Sequence, residues 1–150
     1  MSDLRDLYQE VIVDHSRRPR NFKKLEGATH RAEGFNPLCG DRVVIYLRID
    51  GGVVAEAAFE GAGCAISTAS ASMMTETMKG KTAAEAEATF SRFHQMVTSP
   101  PDAEAELDGL GKLAVFSGVC QYPARVKCAS LCWHTLRNAL SGNHELVTLE

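Results

Sequence analysis

The spacing of apolar residues changes along the chain, and each change marks a new element. Leu4, Leu7, Tyr8, Val11 and Ile12 stand at i, i+3, i+4, i+7 and i+8, one stripe of an amphipathic helix. Ser2 or Asp3 can cap it, and Pro19 predicts its end. From Arg42 to Ile49 the period falls to two, with Val43, Ile45, Leu47 and Ile49 on one face and Arg42, Val44, Tyr46 and Arg48 on the other. Asp50-Gly51-Gly52 supplies a turn before a second alternating run, Val53 to Phe59. The two runs predict an antiparallel hairpin. An isolated hairpin is marginally stable, so a third strand is expected just before it, between Thr29 and Phe35.

After Gly61-Ala62-Gly63 the helical period returns, with Ile66, Ala69, Met73 and Thr77 on one face and a stop at Gly80. Thr82-Ala83-Ala84-Glu85 has the spacing of a capping box and opens a helix to about Val97, broken by Ser99-Pro100-Pro101-Asp102. Ala103 to Asp108 is acidic and unpatterned, which predicts a surface loop. Leu110, Leu113, Ala114 and Val115 suggest a short buried helix. A last helix runs from just after Pro123 to about Leu140, with Ala129, Cys132, Trp133, Leu136 and Leu140 on one face. The predicted fold class is α+β: a small three-stranded antiparallel sheet with an N-terminal helix and a group of C-terminal helices. No repeat or linker divides the chain, so residues 1–150 are expected to form a single domain.

Length and composition narrow the class of function. A chain of 150 residues, 45% hydrophobic and 23% charged, is long enough to build a core without staples. Gly61 to Thr75, the longest uncharged stretch, is interrupted by glycine and hydroxyl residues and is shorter than a membrane span. The acidic N-terminus lacks the basic lead-in of a secretory signal, and a cytoplasmic location is expected. A net charge of −3 argues against bulk nucleic-acid binding. Between Arg17 and Lys24, however, five of eight residues are positive. That cluster reads either as a solvated turn after a helix or as a docking patch for an acidic partner.

The five cysteines, Cys39, Cys64, Cys120, Cys128 and Cys132, contain no Cys-x-x-Cys pair, which argues against a disulfide framework, a thioredoxin-type motif and a zinc finger. Cys39 lies in the turn Asn36-Pro37-Leu38-Cys39-Gly40-Asp41. Cys64 follows a glycine pair at a helix start, where the backbone N–H groups favour a thiolate. Cys128 stands near the start of the last helix beside Lys127, with the same expected bias. Cysteines from separated segments can form a metal site if the fold joins them, or can be buried as small apolar residues. The second reading suits Cys120 and Cys132. The five histidines form no metal-ligand pair and read as surface or partly packed side chains. Phosphate-binding and serine-hydrolase motifs are missing.

Asn36-Pro37-Leu38-Cys39-Gly40-Asp41, Gly61-Ala62-Gly63-Cys64-Ala65-Ile66-Ser67 and Tyr122-Pro123-Ala124-Arg125-Val126-Lys127-Cys128 resemble the three cysteine motifs of the IscU and SufU iron–sulfur cluster assembly proteins, the NifU N-terminal domain family. Tyr8 to His15 and Arg18-Pro19-Arg20-Asn21-Phe22 are similar to that family's opening helix and turn. The likeness is greater to SufU than to IscU. Lys127 stands where IscU-type scaffolds carry histidine, and the stretch from about Pro100 to Gly118 resembles an extra SufU segment.

The resemblance implies that Cys39, Asp41, Cys64 and Cys128 form one site for Zn²⁺; as an oxygen ligand among soft sulfurs, Asp41 is expected to be the most easily displaced. The resemblance also implies a sulfur acceptor that takes persulfide sulfur from a pyridoxal-phosphate-dependent cysteine desulfurase and passes it to downstream cluster-assembly proteins. Cys39, in its glycine-bearing turn, is the expected persulfide carrier, with Cys128 the alternative. Arg125, Lys127, Arg17, Arg18 and Arg20 are the expected partner contacts. Two other readings remain: a scaffold that assembles a labile [2Fe–2S] cluster or holds iron on the same residues, and an interaction module with a structural metal.

Overall fold

The structure, a computed structural model, describes residues 2–100, 109–142 and 146–149, apart from the side chains of residues 2–5, 120 and 121. Helix α1 (Ser2–Arg17) precedes strands β1 (His30–Asn36), β2 (Asp41–Asp50) and β3 (Val53–Ala62). Helices α2 (Ala65–Met78) and α3 (Ala83–Thr98), a 3₁₀ segment (Gly111–Gln121), helix α4 (Pro123–Ser141) and a two-residue strand β4 (Val147–Thr148) complete the order. The three expected strands pair antiparallel. A fourth extends the sheet, since β4 runs parallel to β1 and gives the order β3-β2-β1-β4. The acidic stretch from Ala103 to Asp108 and His144 lie outside the described residues. No helix among the described residues is long and apolar enough to cross a membrane.

The alternation read in β2 separates two environments. Val43, Ile45 and Leu47 enter the main core under the helices, whereas Tyr46 joins Leu25 and Ala58 in a smaller cluster on the opposite face. Helix α3 begins at the predicted capping box, in which Thr82 Oγ1 accepts the Glu85 N–H and the Glu85 carboxylate accepts the Thr82 N–H. The short helix expected after Leu110 is a longer 3₁₀ segment that buries Leu113, Val115, Phe116 and Val119.

Helix α1 departs from its expected stripe. Leu7 is exposed, and the inward face is Tyr8, Val11, Ile12 and His15. His15, expected near the surface, is 3% exposed, because Ser72 of α2 gives its ring a buried polar partner: Nδ1 lies 2.7 Å from Ser72 Oγ. The same Ser72 oxygen accepts the Arg20 N–H, while Asn21 Nδ2 donates to Thr75 Oγ1. The Asn21 carbonyl accepts the Phe59 N–H and the Phe59 carbonyl accepts the Lys23 N–H. These bonds fasten the basic turn to the second half of α2 and to the edge of β3.

Helices α2 and α4 are joined behind the N-terminal end of α2. Ser70 Oγ donates to the Ala129 carbonyl at 2.6 Å and accepts Trp133 Nε1–H at 3.1 Å. Cys132 is buried against the same hydroxyl, as its position on the apolar stripe of α4 predicts, and burial pushes its thiol up to about 12.

Candidate metal centre

The turn between β1 and β2, the start of α2 and the second turn of α4 meet at one end of the sheet. Sγ of Cys39, Sγ of Cys128 and a carboxylate oxygen of Asp41 all lie within 4.8 Å of one another. Cys64 is outside that mutual group but adjoins it, its backbone N–H donating to Asp41. The donors divide by depth. Asp41 and Cys128 form a floor at 0% and 3% exposure, while Cys39 and Cys64 form an exposed rim.

Asp41 is held from two sides. Its Oδ1 accepts the Cys64 N–H at 2.9 Å and its Oδ2 accepts Asn36 Nδ2–H at 3.1 Å. An oxygen ligand is expected to be the easiest to displace, yet moving this carboxylate would break both bonds and strip the buried Asn36 amide of its acceptor. Gly63 explains the close approach, since a Cβ at that position would lie 2.5 Å from Asp41 Oδ1. Cys64 caps α2, its sulfur accepting the Ser67 N–H at 3.4 Å, so its electron pairs already face the positive end of a helix.

Cys128 behaves differently from its sequence expectation. Burial pushes its thiol well above the ordinary cysteine range, and hydrogen bonds with Cys39, Asp41 and Cys64 add to the effect. Proximity to Lys127 does not outweigh desolvation. A thiol of this kind ionises when a cation replaces its proton. The donor set fits such a cation: sulfur and carboxylate are zinc ligands with bonds of about 2.0–2.3 Å, and separations of 4.8 Å or less exceed the ~3.8 Å edge of a Zn–sulfur tetrahedron by at most about 1 Å.

The rim carries apolar and cationic groups. Leu38 is 61% and Tyr122 50% exposed, and the Arg125 guanidinium lies 4.8 Å from the Tyr122 ring centroid. Lys127 is half-buried on the same helix turn as Cys128. Arg17, Arg18 and Arg20 are elsewhere. Their turn is fixed near Ser72 and Thr75, about 12–16 Å along α2 from Cys64 at 1.5 Å per residue. Arg18 and Arg20 both pair with Asp14, at 2.8 and 2.7 Å.

Asn36 opens the first cysteine motif, and nothing in that motif's spacing marks it as part of the site. It is fully buried, paired in register with Asp41 across β1 and β2. Its strand position was legible, whereas its contact with Cys128, 92 residues away, had no signal in local spacing.

These features define a class: an α+β domain whose cysteines converge at the end of a sheet, with an acidic ligand candidate between them. Residues 7–129 match the NifU-like N-terminal domain model, and the chain belongs to that family. It is 39% identical over 140 residues to the zinc-dependent sulfurtransferase SufU of Bacillus subtilis, covering 93% of each chain. It is 38% identical to the iron–sulfur cluster assembly scaffold protein IscU of Streptococcus pyogenes, covering 93% of this chain and 86% of that one. A crystal structure of a putative iron–sulfur cluster assembly scaffold protein for the SUF system from Fervidobacterium islandicum superposes with a TM-score of 0.81 at 40% identity, covering 87% of this chain and 94% of that one.

Proposed function

We propose that this protein is a zinc-binding sulfur acceptor of iron–sulfur cluster assembly, with Cys39, Asp41, Cys64 and Cys128 as the metal ligands. The observation that carries the reading is the mutual approach of Cys39, Asp41 and Cys128 within 4.8 Å. Bound zinc would supply the charge that keeps the cysteine sulfurs as thiolates. Cys39 is the residue that accepts sulfur: it is exposed, and its neighbour Gly40 has a φ of +73° in open space, a backbone that glycine adopts without strain. The Cys39 thiolate attacks the terminal sulfur of a cysteine desulfurase persulfide. A new S–S bond forms at Cys39, the donor S–S bond breaks, and the donor cysteine leaves as a thiolate. Downstream cluster-assembly proteins then receive that sulfur.

The desulfurase would dock across the exposed rim, with Leu38, Tyr122, Arg125 and Lys127 beside the reacting sulfur and the more distant Arg17, Arg18 and Arg20 turn steering approach. A cytoplasmic location, where thiols stay reduced, would suit this chemistry. A second reading, a scaffold for a labile [2Fe–2S] cluster, is favoured by the IscU names among the relatives. Elemental analysis and an absorption spectrum of protein purified without oxygen decide between them. About one zinc per chain, no visible band, and loss of zinc in Cys128→Ser are expected. Iron with matching sulfide and a visible band would overturn the zinc reading in favour of the scaffold. Cys39→Ser should keep measurable zinc but accept no sulfur; full sulfur acceptance would move that role to Cys128.

A further inference from the structure

The Asn36 side chain touches both floor residues, Asp41 and Cys128, and also holds the turn bearing Cys39. Its amide Oδ1 accepts the Leu38 N–H at 3.3 Å, and its main-chain carbonyl accepts the Gly40 N–H at 2.8 Å. Cys39 therefore sits between two residues fastened to Asn36. The amide nitrogen carries two protons. One goes to Asp41 Oδ2 at 3.1 Å and the other toward Cys128 Sγ at 3.8 Å, at the long end of the range for sulfur. The side chain has no exposure, and its bonds to the buried Asp41 and Cys128 are shielded from water. A buried amide committed in this way fixes relative positions, because rotating it to improve one bond breaks the others.

We propose that Asn36 is a positioning residue of the metal centre, aligning the Asp41 carboxylate and the Cys128 sulfur for a common cation while anchoring the turn that presents Cys39. This rests on the reading of the centre as a zinc site. The physical case is that outer hydrogen bonds orient ligands and tune their electron density, and losing one typically costs 10–100-fold in metal affinity. Asparagine is suited to the place. Aspartate would put an acceptor against the Asp41 carboxylate, and a shorter side chain would not span from the turn to Cys128.

The test measures zinc affinity by chelator competition in wild type, Asn36→Ala, Asn36→Ser and Cys128→Ser, with the absorption of cobalt-substituted protein as a second readout. The expected result is a 10–100-fold loss of affinity in both Asn36 variants together with a shifted sulfur-to-cobalt charge-transfer band, since a donor to sulfur has been removed. A folded Asn36 variant with wild-type affinity overturns the proposal. So does weaker binding with an unmoved cobalt band, which would mean general loosening. In wild type loaded with an NMR-active cadmium isotope, scalar coupling from the metal to the Asn36 side-chain amide proton is expected, and this measurement needs no variant to fold. Absence of that coupling also counts against the contact and overturns the proposal. If wild type holds no zinc, or Cys128→Ser binds as tightly, the centre itself is misassigned and the role of Asn36 falls with it; wild-type binding lost only in Cys128→Ser rejects Asn36 alone.

Discussion

Helix α2 anchors two polar regions of opposite kind. At its start, Cys64 and Asp41 are bonded to each other across β2 and the helix cap, and the charged group among them is buried. In its second half, Ser72 and Thr75 hold His15, Arg20 and Asn21, and the charges attached there lie at the surface. The first region concentrates ligand atoms, sulfurs and a carboxyl group, with no ion pair at Asp41 among the described residues. The second spends its charge internally, because Asp14 takes both Arg18 and Arg20. Five positive residues in a row of eight therefore do not make five available charges, and Arg17, Lys23 and Lys24 carry most of the outward field. Density of charge in a sequence is a poor guide to a docking patch, whereas Cys39 and Cys128, far apart in the chain, lie with Asp41 within 4.8 Å of one another.

The comparison can be broken most forcefully at the floor. Asp41→Ala leaves the buried Asn36 amide without its acceptor and removes the bond of the part-buried Cys64 N–H; a loss of about 2–4 kcal/mol is expected, roughly 1–3 for the first and about 1 for the second. Denaturant unfolding of metal-free protein checks it; an effect seen only with metal bound would make Asp41 a ligand and nothing more. Gly63→Ala comes next. Its Cβ would meet Asp41 Oδ1, and a cost of about 1–3 kcal/mol should come with weakened metal retention, read by elemental analysis of the purified variant.

At the other end, Ser72→Ala removes the shared partner of His15 and the Arg20 N–H. About 1–3 kcal/mol is expected, with metal content unchanged. His15 gives this region a pH signature. Burial holds its pKa below the ordinary histidine value, Arg20 and Lys112 act in the same direction, and Glu76 and Asp14 oppose them. Below the ordinary value near 6.5 the unfolded chain binds a proton that the folded chain resists. Stability contributed by this group is therefore complete above that pH and is lost as pH falls toward the lowered pKa. Thermal unfolding between pH 5 and 8 should show the slope, flattened in His15→Gln. The smallest effect is expected from Arg17→Glu: about two- to five-fold slower association with a cysteine desulfurase at low salt, vanishing at high salt, with no change in metal binding.

The regular elements were legible because each rests on local periodicity: the alternation of Val43, Ile45 and Leu47, the Thr82–Glu85 box, and the Trp133 stripe. What escaped depends on contacts across the chain. His15 is buried because Ser72 receives it, and without that partner its place on α1 would read as a boundary between wet and dry. Strand β4 is two residues long, too short for any period. In the candidate site, the resemblance supplied the candidate ligands and the glycine-bearing motifs supplied their turns. The division into floor and rim, and the part of Asn36, came only from the register of β1 on β2 and the approach of α4. The raised pKa of Cys128 reversed a local argument from Lys127 because burial is a property of the whole fold.

The cap on α2 has one more consequence. Cys64 receives the Ser67 amide proton on the same atom that would bond to a metal or be alkylated. Any event that draws electron density from that sulfur weakens the bond and loosens the first turn of the helix. The Ser67 amide is thus a native spectroscopic reporter: its NMR frequency and its exchange with deuterated solvent follow the state of Cys64 without any label attached to the thiol.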